Sequence, residues 1–284
     1  MGLILVSICI LLALVSLFFY LRSDKQFSGK QAYIFAKYQV DLGPRIPDSD
    51  AHELFRLWAK ESLISYGWHV SEQTGEIKGH QLTNLQAQKG SGSDLIIIGA
   101  HYDSRMKADQ DKIDPTQPVP GANDGASGAA VLMELARTVN VPQGKTVRLV
   151  LFDLEDQGKL DGWDWILGSS YYSEHLEEIP KAVVIIDMIG DSALNIKKER
   201  NSDQELNDEI WQIADRLGFS GQFIDAAGFS MLDDHTPFLR KGLRSVDLID
   251  FDYPYWHTTQ DTLDKISAES LEAVGRVLEY WIEN

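Results

Sequence analysis

Four short apolar runs place the strongest limit on what this chain can fold into. Each run is rich in β-branched side chains, and stretches with helical spacing lie between and after the runs. Short runs of this kind suit strands that are covered on both faces of a sheet. The alternation of strand and helix predicts an α/β fold: a single three-layer domain with a mostly parallel, mixed central sheet flanked by helices. The runs are residues 95–100, 147–152, 182–186 and 245–249, and the helical stretches are residues 126–139, 167–176, 205–217 and 268–282.

The chain before the first of these runs predicts further helices and strands. Helical spacing covers residues 31–42 and 50–66, and strand-like patterns cover residues 68–72 and 83–88. The 284 residues are 44% hydrophobic, which is enough for one large core, and they contain no internal repeat or low-complexity tract. We therefore expect one catalytic domain over residues 31–284.

The N-terminal segment predicts a membrane anchor. Residues 3–21 are apolar apart from Ser7 and Ser16. A helix of this length, at ~1.5 Å per residue, covers roughly the hydrocarbon thickness of a bilayer. No basic side chain precedes the run and bulky aromatic side chains close it, which favours an uncleaved anchor over a cleaved signal peptide. The expectation is a single-pass anchor at residues 1–22, with the lipid bilayer as its partner, and a polar linker at residues 23–30.

Charge and cysteine content exclude some classes of function. The formal net charge is −17, and a surface this acidic repels phosphate backbones, so we expect no nucleic-acid partner. The single cysteine, Cys9, permits neither an intrachain disulfide nor a metal site built from several thiolates.

Polar residues with metal-ligand chemistry follow three of the apolar runs. His101 follows the first run, Glu155 and Asp156 follow the second, and Asp187 ends the third. In open α/β sheets, ligands bind in the crevice beyond the carboxyl ends of the strands. These side chains are therefore expected to meet in space, and histidine and carboxylate are the ligands that zinc takes when thiolates are lacking.

Each of these signals is weak alone. His101 and Asp103 stand two residues apart, where the carboxylate can orient the ring, but such pairs are common. Asp124 lies in a run of glycine and alanine that allows close backbone approach, but it can equally cap a helix. His257, taken by itself, is more often a structural residue. Jointly the residues are more specific, because their chemistry matches one metal.

The ordered motifs resemble a known family. They are His101-x-Asp103, Gly121-Ala122-Asn123-Asp124-Gly125-Ala126-Ser127-Gly128, Glu155-Asp156, Asp187, Asp234-His235 and His257-Thr258. In this order they resemble the zinc aminopeptidase family that also contains the animal-type glutaminyl cyclases. The resemblance covers residues 94–284 and implies a zinc-exopeptidase-like fold that acts on the N-termini of peptides or proteins. It also implies a catalytic domain outside the cytoplasm.

The two branches of this family imply different site roles. In the aminopeptidase branch, Glu155 is the base and two zinc ions are held. In the cyclase branch, one zinc is held, Asp187 and Asp233 form a hydrogen-bonded acidic pair, and Trp256 lines the substrate pocket. For two zinc ions, the implied ligands are His101, Asp124, Asp156, Asp187 and His257, and Asp103 is expected beside them. For one zinc ion, the implied ligands are Asp124, Asp156 and His257.

Local features favour the cyclase branch. Trp256 directly precedes His257, and Asp233 precedes the Asp234-His235 pair, where aminopeptidases often have other residues. The expected activity is zinc-dependent conversion of N-terminal glutamine to pyroglutamate with release of ammonia. The alternative is that the protein is a di-zinc aminopeptidase that hydrolyses N-terminal residues from peptides. A third hypothesis is a binding module that kept the fold but lost catalysis. One departure is Asp156, where the family usually has glutamate, so this shorter acid must reach the metal differently.

Overall fold

The four apolar runs form the parallel part of a six-stranded mixed sheet. The computed structural model describes residues 26–284. The strands are β1 (His69–Ile77), β2 (His80–Gly90), β3 (Asp94–His101), β4 (Lys145–Phe152), β5 (Ala182–Asp187), β6 (Ile196–Lys198), β7 (Phe223–Ala227) and β8 (Ser245–Ile249). Their order in the large sheet is β1-β2-β4-β3-β5-β8, in which β4, β3, β5 and β8 are parallel, and β1 and β2 form an antiparallel hairpin that pairs antiparallel with β4. Strands β6 and β7 pair with each other in a separate two-stranded sheet.

Helices cover both faces of the large sheet. They are α1 (Gly29–Leu42), α2 (Asp50–Ser65), α3 (Ala126–Thr138), α4 (Leu167–Glu174), α5 (Gln204–Leu217), α6 (Thr236–Arg240) and α7 (Ala268–Glu283), with a short 3-10 turn at Leu263–Lys265. Several begin at side-chain caps; Ser49, for example, accepts a hydrogen bond from the backbone N–H of His52 at the start of α2.

Alternating side chains of each strand divide the core into two layers. In β3, Ile96 and Ile98 face the larger cluster, which includes residues of α1, α3 and α7. Ile97 faces the opposite cluster, together with Tyr172 of α4 and Phe238 of α6. Both faces of the central strands are thus buried, which explains their continuous apolar composition. The expected three-layer α/β domain with a mixed central sheet is confirmed.

The folded domain begins earlier than the sequence predicts. Phe27 is buried, its backbone N–H donates to Glu279 at 2.8 Å, and Ser28 caps α1, which begins at Gly29. The expected linker at residues 23–30 therefore extends too far, because its last residues pack against α7. In residues 26–284, no helix is both long and apolar enough to cross a bilayer. The expected anchor at residues 1–22 lies outside the described residues and stays a prediction.

The sequence analysis did not predict three of the elements that the structure contains. Strands β6 and β7 are short and of mixed polarity, and α6 spans only Thr236–Arg240. Strand β1 is longer than residues 68–72, because it pairs with β2 along its full length to Ile77.

Candidate active site

The predicted site residues meet at the carboxyl ends of the parallel strands. His101 and Asp187 are the last residues of β3 and β5. The pair Glu155-Asp156 lies in the turn after β4, and His257 lies in the loop after β8. The connection after β3 runs to β4 on one side, and the connection after β5 runs toward β8 on the other side. A crevice therefore opens between the carboxyl ends of β3 and β5, where the connections diverge.

Among the described residues, three groups of buried side chains have the spacing of metal ligands: two of them share Asp124, and the third is Asp233, His235 and Asp247. Of the two ligand groups that share Asp124, one is Asp124, Asp156 and His257, and the other is His101, Asp124 and Asp187. In the first, His257 Nε2 lies 2.9 Å from Asp156 Oδ1 and 3.7 Å from Asp124 Oδ2. In the second, His101 Nε2 lies 3.2 Å from Asp124 Oδ1 and 3.1 Å from Asp187 Oδ1.

The donor set fits zinc. Asp124 Oδ2 and Asp156 Oδ2 are buried without a hydrogen-bond partner among the described residues. An unpaired buried carboxylate oxygen is costly unless a cation or a proton reaches it. Two carboxylates and one imidazole form a three-ligand set that leaves a fourth position open for substrate. The shorter Asp156 is close enough to His257 to share a ligand site, so the departure from glutamate does not break the group.

Asp124 is held by a carboxylate that the sequence analysis did not identify. Asp261 accepts hydrogen bonds from the backbone N–H groups of Asn123 (2.8 Å) and Asp124 (3.1 Å), and from the Tyr253 hydroxyl (2.7 Å). The loop that carries Asp124 is therefore fixed from the far end of the chain.

Together, Arg105 and Asp109 contact both Asp156 and His257 and hold them in position. Arg105 donates to the backbone oxygen of Asp156 at 2.9 Å and to Asp109 Oδ1 at 2.6 Å. The same Asp109 oxygen lies 3.3 Å from His257 Nδ1, so a second carboxylate faces the ring nitrogen opposite the one near Asp156. Burial opposes the charged form of His257, but the carboxylates of Asp156 and Asp109 outweigh burial and raise its pKa to about 9. The Trp165 ring covers the Arg105 guanidinium at 4.7 Å.

Asp103 supports the turn that carries Glu155 and does not belong to either ligand group. Its two oxygens accept the backbone N–H groups of Glu155 (3.0 Å) and Asp156 (3.2 Å), and the Gln157 side-chain amide (2.9 Å). Burial alone would raise its pKa, but the nearby His101 ring and these hydrogen bonds lower it to about 2. Asp103 lies beside both ligand groups, and its contacts make it a brace between β3 and the turn after β4.

Glu155 has the environment of a proton-transfer group. It is buried, lines the cavity beside the ligands, and is absent from both ligand groups. Burial raises its pKa well above the usual range, and the charges of Asp156 and Asp233 add to this, although His101 opposes it. A carboxyl group with a raised pKa can take and return a proton near neutral pH.

Asp187 and Asp233 lie in the same cavity but are not hydrogen-bonded to each other. Asp187 contacts His101 instead, and Asp233 accepts the backbone N–H of Asp234. The two acids still interact: burial, and then the charge of Asp187, raise the pKa of Asp233 to about 7. The expected hydrogen bond between Asp187 and Asp233 is therefore not formed in this structure, and the two acids interact through their charges.

Trp256 forms one wall of the cavity beside the ligand groups. Its ring stacks on His257 with centroids 3.7 Å apart. The cavity has a volume of about 190 Å³, and the rest of its apolar wall consists of Trp165, Met188, Met231, Leu232, Ile249 and Phe251. A flat aromatic wall beside a ring of acids can hold a planar polar group next to the metal ligands.

Three residues at this site have an unusual backbone conformation. Leu154, Met188 and His257 all have positive φ, at 54°, 45° and 55°, and each is a site residue or adjoins one. Such residues cost energy and persist where surrounding contacts fix them. Gly125 has φ 92°, and an added Cβ there would lie 2.5 Å from the Asp103 backbone oxygen, so only glycine fits behind Asp124.

Known proteins with the same fold include both hydrolases and cyclases. The profile of Peptidase family M28 matches residues 83–282. Aminopeptidase YwaD of Bacillus subtilis is 31% identical over 203 residues, which are 64% of this chain and 39% of that protein. The chain thus spans about two fifths of the length of this relative.

Two crystal structures extend the likeness to nearly the whole chain. Porphyromonas gingivalis glutaminyl cyclase is 33% identical with a TM-score of 0.85, over 90% of this chain and 98% of that chain. A Zn-dependent exopeptidase from Parabacteroides distasonis is 27% identical with a TM-score of 0.86, over 92% of this chain and 99% of that chain.

Proposed function

The chain belongs to peptidase family M28, and from this premise we propose that it is a zinc-dependent glutaminyl-peptide cyclotransferase. The substrate is a peptide or protein with N-terminal glutamine, and the products are a pyroglutamyl end and ammonia. The observation that supports this most directly is the cavity itself, in which Trp256 faces the ligand group while Glu155 and Asp233 line the same space. The likeness to the Porphyromonas gingivalis glutaminyl cyclase also supports it.

The residues of the site fit an intramolecular acyl transfer. Asp124, Asp156 and His257 would hold one zinc, which when bound supplies Lewis-acid polarisation of the glutamine side-chain carbonyl. Glu155 takes a proton from the α-amine as the amine nitrogen bonds to the side-chain carbonyl carbon. Glu155 then gives that proton to the side-chain nitrogen as its bond to carbon breaks, and ammonia leaves. The acids Asp187 and Asp233 hold the reacting nitrogens, and Trp256 packs against the side chain.

Hydrolysis by a di-zinc aminopeptidase is the second candidate, and one observation favours it. His101, Asp124 and Asp187 form a second group with ligand spacing, so the fold also has room for another ion. In that case Glu155 would act on a water molecule and not on the substrate amine.

Metal counting combined with two substrate assays tests the proposal. We expect one tightly bound zinc per chain, ammonia release from glutaminyl peptides with the mass loss of ring closure, and poor cleavage of leucine or alanine amides. Two tight zinc ions, with efficient release of free N-terminal residues and no pyroglutamyl product, would establish the aminopeptidase instead.

We also propose that residues 1–22 anchor the protein in a membrane and that the catalytic domain faces away from the cytoplasm. The apolar run at residues 3–21 supports the anchor. N-terminal sequencing of the protein from a washed membrane fraction tests it, since a mature chain that starts near Ser23 would mean that the segment is a cleaved signal peptide.

A further inference from the structure

Strand β8 carries an acid in the middle of its apolar run. Asp247 stands between Val246 and Leu248, and its side chain is fully buried. Neither oxygen of its carboxylate has a hydrogen-bond partner among the described residues. Burial of such a group is costly unless a cation or a proton compensates it. Packing alone therefore does not account for an acid at this position.

His235, just before α6, faces Asp247 with one ring nitrogen and a second acid with the other. Its Nδ1 lies 3.7 Å from Asp247 Oδ2, and its Nε2 lies 3.3 Å from Glu199 Oε2. The ring is fully buried, and neither nitrogen has a hydrogen-bond partner among the described residues. A histidine that binds a metal through one nitrogen usually has a carboxylate at the other. Glu199 occupies that second place.

Glu199 is itself fixed, so it can orient the His235 ring. The same oxygen, Oε2, accepts the backbone N–H groups of Asn201 at 2.8 Å and Ser202 at 2.7 Å, and the Ser202 hydroxyl at 2.8 Å. The other oxygen accepts the backbone N–H of Met231 at 2.8 Å. The Nδ1 side of the ring is therefore left for the acids on the other side.

Asp233 completes a three-ligand group and connects it to the catalytic cavity. One ligand atom from each of Asp233, His235 and Asp247 lies within 4.8 Å of the others. Two carboxylates and an imidazole are the same donor set as in the Asp124, Asp156 and His257 group, and this set suits zinc. Asp233 also lines the catalytic cavity, so an ion can reach the group from there.

The charges around Asp247 favour a cation. Burial raises the pKa of the Asp247 carboxyl well above its usual range, and the charges of four other carboxylates add to this: Asp233, Asp187, Glu199 and Asp234. A divalent cation among these acids is attracted by each of them.

We propose that Asp233, His235 and Asp247 form a further zinc site, and that zinc bound there inhibits the enzyme. The inhibition rests on the proposed cyclotransferase function, in which Asp233 holds a reacting nitrogen of the substrate. An ion that takes the Asp233 carboxylate removes this contact. The site fills after the Asp124 group, because Asp261 and Arg105 fix the ligands there, while no hydrogen bond orients the Asp247 carboxylate.

Zinc uptake by the full-length protein tests the site. The protein is dialysed until it holds one zinc per chain, and bound zinc is then counted by elemental analysis as free zinc is raised. We expect one further equivalent in the wild type. Asp247→Asn, which keeps the shape of the side chain, should retain the first zinc and bind the second ~100-fold more weakly or worse, since loss of a ligand costs at least as much as loss of its outer partner. His235→Asn should do the same.

Ammonia release from a glutaminyl peptide is followed over the same range of zinc. In the wild type we expect the rate to fall at least ~10-fold through loss of substrate positioning, with the same midpoint as the second uptake. In Asp247→Asn the midpoint should shift to higher zinc by the same factor as the uptake.

Two control variants separate this site from other places where excess zinc can bind. His101→Asn alters the group of His101, Asp124 and Asp187, so it should still take up the further ion. His175→Ala removes an exposed histidine outside all three groups, and it should behave as the wild type in both assays.

A wild type that takes up no second equivalent would overturn the site and would mean that protons alone balance these acids. A second equivalent that is lost in His101→Asn and kept in Asp247→Asn would also overturn it. If the second ion binds as expected and ammonia release does not fall, the inhibition is wrong. If no glutaminyl peptide releases ammonia at any zinc concentration, the proposed function fails, while the zinc counts still decide the site.

Discussion

Glu155 is the side chain on which the proposed chemistry depends most directly. It lies beside the ligand Asp156 but outside both ligand groups. Glu155→Gln should therefore keep the fold and the zinc content while kcat falls at least ~100-fold, the usual size of general acid–base catalysis. Elemental analysis and single-turnover kinetics check this, with the exposed Glu53→Gln on α2 as control. Loss of zinc from the Glu155 variant would mean that the roles of Glu155 and Asp156 are exchanged.

Replacement of Trp256 should weaken the binding of the glutamine side chain and leave zinc binding intact. Trp256→Ala removes the ring that stacks on His257 and lines the cavity. We expect at least a tenfold loss in kcat/KM for glutaminyl peptides, from lost packing and positioning, with zinc retained. Trp163→Ala is the control, because Trp163 stacks on His80 and does not line the cavity. An unchanged kcat/KM in the Trp256 variant would remove the main support for the cyclase reading.

At the scale of elements, the turn after β4 depends on a carboxylate from the end of β3. In the wild type, the backbone N–H of Asp156 and the Gln157 side-chain amide both donate hydrogen bonds to one Asp103 oxygen. In Asp103→Asn, an N–H₂ group can take the place of that oxygen, so donor would face donor. We expect a loss of about 1–3 kcal/mol in the free energy of unfolding and a 10- to 100-fold weaker zinc affinity. Chemical denaturation and competition with a chelator measure these. Asp94→Asn, at the partly exposed start of β3, loses only a surface ion pair with Lys181, so the zinc affinity should not change and the free energy of unfolding should change by less than ~1 kcal/mol.

The same contact predicts a pH dependence of stability. The pKa of Asp103 is about 2 in the folded protein, below the ordinary 3.8. A depressed folded pKa stabilises the protein above pH 3.8, and this contribution is lost as the pH falls toward 2. The difference in unfolding free energy between wild type and Asp103→Asn should therefore shrink from pH 4 to pH 2. A difference that stays constant over this range would contradict the contact.

The sequence predicts the elements that have a strong local pattern. The four parallel strands are continuous apolar runs, so the sequence shows where each strand lies and where it ends. His101, Glu155 and Asp187 stand at or just after these ends, so they could be identified from the sequence as well. Strands β6 and β7 have no such pattern, and their pairing is decided by contacts across distant parts of the chain. The same holds for Asp261, whose partner Asp124 lies 137 residues away. Carboxylates that brace ligands look like ordinary surface acids until the fold brings them to the site.

At the scale of the whole molecule, the domain depends on residues just before its first helix. Phe27 is buried against α7, where an added Cβ on Gly275 would lie 2.0 Å from the Phe27 ring. A chain that starts at residue 31 loses this ring and the Ser28 cap. We expect it to be less stable than a chain that starts at residue 26 by about 3 kcal/mol or more. Thermal unfolding of the two chains checks this, and equal melting temperatures would contradict it.

Removal of zinc should weaken the whole fold. Zinc at 100-fold above its Kd contributes about 2.7 kcal/mol to the folded state, which corresponds to about 5–10 °C in Tm for a domain of this size. A chelator should lower the Tm of the wild type by this amount and leave that of His257→Ala almost unchanged. An equal response of the two proteins would mean that the ligands are wrongly assigned.

The acids buried at one end of the sheet link metal supply to the amount of protein in a cell. They are Glu155, Asp156, Asp187, Asp233 and Asp234, whose pKa values are all raised by burial first and then by neighbouring carboxylates. Without a cation, their mutual repulsion raises the fraction of molecules that are unfolded at any moment, and quality-control proteases remove that fraction. Under zinc starvation we therefore expect the half-life of the protein to shorten, so its abundance would fall along with its activity per molecule.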